Sequence, residues 1–155
     1  MTVQKNINIQ NKKARFEFEI LDKFVAGIQL TGTEIKSIRL SQARITESFC
    51  EFNDRGELFI VNMYIQEYLF GYHFNHKPKS ERRLLLNKRE LRSLKKDVEA
   101  KGNTIVPLRL FINDRGFAKL EIALAKGKQT HDKREVLKER DSKRDLARIK
   151  KNFNT

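Results

Sequence analysis

The tetrapeptide Asn-Asp-Arg-Gly occurs twice, at residues 53–56 and again at 113–116, and each copy sits between short apolar-rich runs. Asn, Asp and Gly tolerate the left-handed backbone angles that tight reversals need, so both copies predict hairpin tips. The second hairpin has the cleaner pattern. Leu108, Leu110 and Ile112 face inward on one arm; Ala118, Leu120, Ile122 and Leu124 do so on the other, against outward Lys119 and Glu121. Two such hairpins commit most of the chain to antiparallel sheet.

The remaining segments fit round them. Residues 1–14 have no apolar periodicity and read as a polar arm. RFEFEI (15–20) alternates, which predicts a half-buried strand with Phe16, Phe18 and Ile20 facing the core. FVAGIQL (24–30) predicts a second strand, with Gly27 marking a bulge or a close backbone approach. In GTEIKSIRLSQA, Thr33 caps a short helix whose inward pair is Ile35 and Ile38. YLFGYHFNHKPKSERR (68–83) reads as mostly loop. Asn87 then caps a longer helix with Glu90 as box partner, and Gly102 stops it. Leu91, Leu94 and Val98 form its buried stripe; Arg92, Lys95 and Lys96 stay wet. About six short strands with two inserted helices suit a small closed barrel or, as the rival, an open antiparallel α+β sheet.

Charge narrows the function. The formal net charge is +13 over 155 residues, and from Lys126 onward there are eleven Lys/Arg against five Asp/Glu. Both parts of the chain are basic, so a polyanion is the expected partner, nucleic acid before membrane surface. No apolar run approaches the roughly 18 residues that span a bilayer, and MTVQKNINIQNKKAR has no secretory h-region. The single cysteine, Cys50, excludes an intrachain disulfide framework and suits a reducing cytosol. His73 and His76 lack the companions of a zinc site and read as polar loop residues, so no metal is expected. GKQT at Gly127 lacks the glycines of a phosphate loop. His131 beside Asp132 would need a rigid frame for acid–base chemistry, and a tail provides none. Four basic clusters stand out: 11–15, then Lys36 with Arg39, then Lys77, Lys79, Arg82 and Arg83, then the tail. Tyr68, Tyr72 and Phe74 are candidate stacking platforms beside them.

Three stretches carry a more specific signal: AGIQLTGTEIKSIR (26–39), RRLLLNKREL (82–91) and LAKGKQTHDKREVLKERD (124–141). In that order, over nearly the whole chain, they resemble the SsrA-binding protein family, also called small protein B. That family partners transfer-messenger RNA (tmRNA), which rescues stalled bacterial ribosomes. The resemblance implies a mainly β fold: a small antiparallel OB-like barrel with two or three helices. It implies a non-enzymatic, cytoplasmic, monomeric adaptor without cofactor, metal or membrane. Residues 1–125 would hold the tRNA-like domain of tmRNA. Residues 126–155 would be a basic tail, disordered when free and helical in the empty mRNA channel of the ribosome, against small-subunit ribosomal RNA.

Residue by residue, the family's NKKA-type start matches Asn11, Lys12 and Lys13, and its GxE(I/V)KS segment matches Gly32, Glu34, Lys36 and Ser37. Leu85 matches the middle of the triple-Leu motif. These residues would contact or support the RNA, with Arg39 beside them on the short helix. In the tail, Gly127, Lys128, Asp132, Lys133 and Arg134 match the GK…DKR motif, His131 a base-stacking histidine, and Ile149 an apolar position near the end. The chain departs from the family's usual pattern at Val25, where an acid is common, at Gln129 and at Lys150. Composition alone leaves a rival, a ribosomal or ribosome-assembly RNA-binding protein with a basic extension. In the tail, Glu135/Lys138, Glu139/Lys143, Asp141/Arg144 and Asp145/Arg148 lie at helical spacing, but each pair contributes only about 0.2–0.5 kcal/mol. Apolar residues there are too few to make a core face. A synthetic 126–155 peptide is therefore expected to give a mostly coil far-UV circular dichroism spectrum in buffer; a stable helix without partner would contradict this.

Overall fold

The computed structural model describes residues 6–100 and 102–127. In chain order the elements are β1 (Asn8–Gln10), α1 (Lys12–Glu17), β2 (Phe18–Ile28), α2 (Gly32–Arg39), β3 (Ala43–Arg44) and β4 (Phe49–Phe52). Then follow β5 (Leu58–Val61), β6 (Tyr64–Ile65), β7 (Arg82–Leu85), α3 (Lys88–Val98), β8 (Asn103–Ile112) and β9 (Ala118–Gly127). The main sheet runs β1-β8-β4-β5-β7-β2-β9, every pairing is antiparallel, and β8 also pairs with β9. That last pairing closes six strands into a ring with β1 on the edge of β8. β3 and β6 form a separate two-stranded ladder.

Both Asn-Asp-Arg-Gly segments are hairpin tips, and they use the same bonds. Asn53 Oδ1 accepts from the N–H groups of Arg55 (3.0 Å) and Glu57 (2.9 Å), and Asn113 Oδ1 from those of Arg115 (3.1 Å) and Phe117 (2.9 Å). Gly56 (φ +78°) and Gly116 (φ +87°) take the left-handed step that closes each three-residue loop.

α2 and α3 both open with a full capping box, Thr31 with Glu34 and Asn87 with Glu90. Thr31, rather than the expected Thr33, is the cap of α2. α3 ends at Val98, short of Gly102. Ile38 of α2 and Leu94 of α3 are fully buried in one cluster with Ile60, Leu84, Leu120 and Ile122. Because β2 and β7 are antiparallel neighbours, α2 and α3, which leave their C-terminal ends, lie at opposite ends of the ring.

Three local readings give way to tertiary context. The polar arm holds β1, and Arg15–Glu17 are helical rather than extended. Asn11 explains both: its side chain accepts from Ala14 N–H (3.3 Å) and donates to Pro107 C=O (2.9 Å), while its N–H donates to Leu108 C=O (2.8 Å). These bonds seat α1 on β8 and bury Ala14 beneath it, while Phe16 is exposed rather than in the core. Secondly, the two expected early strands are one strand, β2, with a register irregularity between Ile20 and Asp22. The extra residue sends Phe18 and Ile20 to a small cluster under α1, while Phe24, Ala26 and Ile28 join the main core. Thirdly, a matching irregularity between Pro107 and Arg109 turns Leu108 to the α1 side, away from Leu110. Gly27 marks close approach: a Cβ there would lie 3.3 Å from Leu85 Cβ. β9 continues through Lys126 and Gly127, which pair with Glu19 and Phe18, so both residues belong to the sheet.

Gly116→Ala forces an L side chain into the left-handed region and is expected to cost about 1–2 kcal/mol. Urea unfolding midpoints of the variant and the parent check this, and an unchanged midpoint would count against the hairpin geometry.

Candidate nucleic-acid interface

At the α2 end of the ring, one buried ion pair organises the surface. Glu34, in the first turn of α2, and Arg82, at the start of β7, are both almost fully buried and bond through Glu34 Oε2 and Arg82 Nε. Arg82 also donates to the carbonyls of Met63 (2.7 Å), Lys77 (3.1 Å) and Pro78 (3.1 Å), and Glu34 Oε1 accepts from Thr31 N–H (2.8 Å). Arg82 therefore leaves the surface cluster to which its sequence position assigned it. Glu34 likewise supports α2 from beneath.

The loop 66–81 hangs on this hub. His76, expected as a polar loop residue, is buried: Nε2–H donates to Ile65 C=O (3.0 Å), and Nδ1 bonds with Thr33 Oγ1 (2.9 Å). Asn75 donates to Tyr68 C=O (2.7 Å) and accepts from Tyr68 N–H (3.1 Å), pinching the loop. Lys36 lies 5.4 Å from the Tyr68 ring centroid, and Tyr68 meets Phe70 edge-on at 5.7 Å. Gly32 is exposed, Ser37 is fully buried, and Arg39 stands beside the Gly116 hairpin tip.

The outer face of the ring brings together residues far apart in sequence. Strand register aligns Arg109, Glu121 and Val25 in one row, and Phe111, Lys119, Gly27 and Leu85 in the next. Leu85 and Val25 are exposed on this face, while Leu84, Ala26 and Leu120 point inward. Arg109 pairs with Glu121 (3.3 Å) and lies over the Phe111 ring at 4.1 Å. Next to it, an open cleft of about 540 Å³ is lined by Lys12, Arg15, Lys23 and Arg109, with buried Asn11 at its base. Lys13 points elsewhere, to Glu47 and Glu17, and the Glu47 carboxylate holds its ammonium above the ordinary lysine value. Lys23, Arg109 and Lys119 carry no motif that marks them as site residues; only pairing register places them beside Lys12 and Leu85.

Of the tail residues, Gly127 ends β9 and donates to Gly102 C=O (3.2 Å). Lys128, His131, Asp132, Lys133, Arg134 and Ile149 lie outside the described residues, as do Gln129 and Lys150. Cys50 is buried in β4, and burial pushes its thiol far above the ordinary value, which suits an inert core residue. Among the described residues no group of three or more His, Cys, Asp or Glu is placed to hold a metal, and no helix is long and apolar enough to cross a membrane.

Fold and surface together define a small basic protein built on a closed antiparallel β ring with an exposed cationic face. The family model described as SmpB protein matches residues 8–152. The SsrA-binding protein of Flavobacterium psychrophilum is 66% identical over 149 residues, covering 96% of this chain and 99% of that one. That of Brucella canis is 55% identical over 140 residues, covering 90% and 88%. A solved structure described as "tmRNA-SmpB: a journey to the center of the bacterial ribosome" contains a chain 46% identical, covering 80% of this chain and 86% of that one, with a TM-score of 0.66. The chain belongs to the SmpB protein family, the family that its three sequence motifs indicated.

Arg82→Leu leaves the Glu34 carboxylate buried without its partner and is expected to destabilise the fold by about 3–5 kcal/mol. The double variant Glu34→Gln/Arg82→Met should recover part of that loss. Equilibrium urea unfolding measures both, and a single variant as stable as the parent would remove the pair from its organising role.

Proposed function

We propose that this chain is the protein partner of tmRNA: it binds the tRNA-like domain and carries it to stalled ribosomes. Family membership across residues 8–152 carries the reading. The relatives are named SsrA-binding proteins, and the matched structure is described as tmRNA-SmpB in the bacterial ribosome. The geometry supports it through the outward face on which Lys12, Lys23, Arg109, Lys119 and Leu85 gather.

In this reading the carried-over residues divide by burial. Asn11, Glu34 and Ser37 support the surface from within; Lys12, Lys13, Gly32, Lys36, Arg39 and Leu85 are its contact residues. Exposed Val25 gives the outer face an apolar spot where relatives commonly have a carboxylate. Strand β9 runs to Gly127, and in this reading the basic segment that follows probes the empty mRNA channel, becoming helical against ribosomal RNA. The adaptor catalyses nothing; it works as a monomer in the cytoplasm, where its two RNA partners are, and binding and delivery are its whole task.

Titration of the full chain with tmRNA and with an ordinary tRNA, across a range of salt, tests the proposal. Affinity should fall with salt for both, with a log–log slope of about −0.9 per phosphate contacted. Preference for tmRNA should persist at physiological salt, and a chain ended after Gly127 should keep it. Equal affinities that vanish together would favour a general RNA-binding protein of ribosome assembly.

A further inference from the structure

Between Leu69 and Phe74 the chain displays more apolar surface than its fold can use. Leu69 is 78% exposed, Tyr72 82% and Phe74 90%, with Phe70 at 47%. Such a patch on a small protein marks an interaction site. The segment is also held in place. Asn75 bonds both backbone groups of Tyr68, Gly71 N–H donates to Tyr68 C=O (3.0 Å), and His76 is clamped between Ile65 and Thr33. A side chain at Gly71 would collide with Asn75, with its Cβ 2.8 Å from Nδ2, so the pinch depends on glycine there. The aromatic rings are thus presented from a built support.

Phe74 forms one wall of an open cleft of about 470 Å³ whose other lining residues include Gly32, Thr33, Lys36 and His76. Gly32 leaves its part of the lining bare, since a Cβ there would meet nothing within 4 Å. No carboxylate lines this cleft, and Lys36 stands in it as a cation. An apolar protein segment docked here would strip water from Lys36 without giving it a partner. A nucleotide satisfies both halves, its base on the ring and its phosphate at the ammonium.

We propose that Phe74, assisted by Tyr72, is a stacking platform for an unpaired base of the bound RNA, with Lys36 taking the adjacent phosphate. This rests on the RNA-binding reading above and adds to it a specific stacking contact by loop residues outside the carried-over motifs. Stacking of this kind tolerates any base, because every base has a π face.

The chain has no tryptophan, so Phe74→Trp introduces a single selectively excited fluorophore into the full-length protein. Saturating tmRNA is expected to quench its emission while Kd stays within about twofold of the parent, since indole stacks at least as well as phenyl. Phe74→Ala should weaken tmRNA binding by about tenfold with the log–log salt slope unchanged, because a stacking contact and no phosphate contact is lost. Lys36→Ala should instead make the slope shallower by about one. Phe74 is so exposed that neither replacement removes core packing. Unchanged Trp emission at saturation, or Phe74→Ala binding as tightly as the parent, would overturn the platform. A response to ribosomes without tmRNA, and none to tmRNA, would also overturn it and assign the patch to a ribosomal partner. Failure of the underlying reading looks different: the parent chain itself would show no preference for tmRNA over tRNA.

Discussion

The Glu34–Arg82 pair is the constraint on which the α2 end of the molecule depends. Removing two charges from water costs several kcal/mol per ion, and one contact between them does not offset that. Here the other polar atoms are also satisfied, by the N–H of Thr31 and the carbonyls of Met63, Lys77 and Pro78. Those partners lie on the helix cap, the turn after β5 and the loop leading into β7. One guanidinium therefore sets the relative positions of three segments that share no ladder. The candidate interface at this end (Gly32, Lys36 and the aromatic loop) inherits its geometry from that buried bond.

Ring closure does the equivalent work on the outer face. Once β8 pairs with both β4 and β9, every strand of the ring has two neighbours and the register of each is set by the next. Alternation then sorts side chains, with Leu84, Ala26 and Leu120 inward and Leu85, Val25 and Lys119 outward. A net charge of +13 by itself predicts only attraction to polyanions. Register converts part of that charge into a patterned surface, with Arg109 held by Glu121 and Phe111 while Lys12 and Lys23 stand at the open cleft. The rows carry apolar Leu85 and Val25 among the cations, so the face presents more than a uniform positive field.

The two irregularities show how a ring with one helix laid outside it buries both faces of a strand. At Ile20/Asp22 and Pro107/Arg109 the inside–outside alternation resets, so β2 and β8 serve the main core along one part and the α1 cluster along the other. Ala14, Ala123 and Ala125 keep that second cluster thin, which lets α1 lie close to the sheet. Asn11 supplies the polar attachment, and its burial makes it a supporting residue even though its neighbours Lys12 and Lys13 are exposed.

What was legible in the sequence is what nearest neighbours decide. The Asn-Asp-Arg-Gly tips, the Asn87/Glu90 box and the Leu91–Leu94–Val98 stripe each depend on angles and bonds within a few residues, so a short window of sequence is enough to specify them. Motif order likewise identified the family. The tertiary structure decided the rest. RFEFEI alternates like a strand, yet half of it is helix, because Asn11 is bonded to Pro107 and Leu108, almost a hundred residues away. Arg82 and His76 look like surface residues in a basic loop, yet they are buried, because their partners Glu34, Met63, Ile65 and Thr33 arrive only when the ring closes. Leu108 and Leu110 share a parity and lie on opposite faces. Local chemistry is encoded by adjacency; burial and register depend on which distant strand lies alongside, and periodicity within one segment carries no record of that.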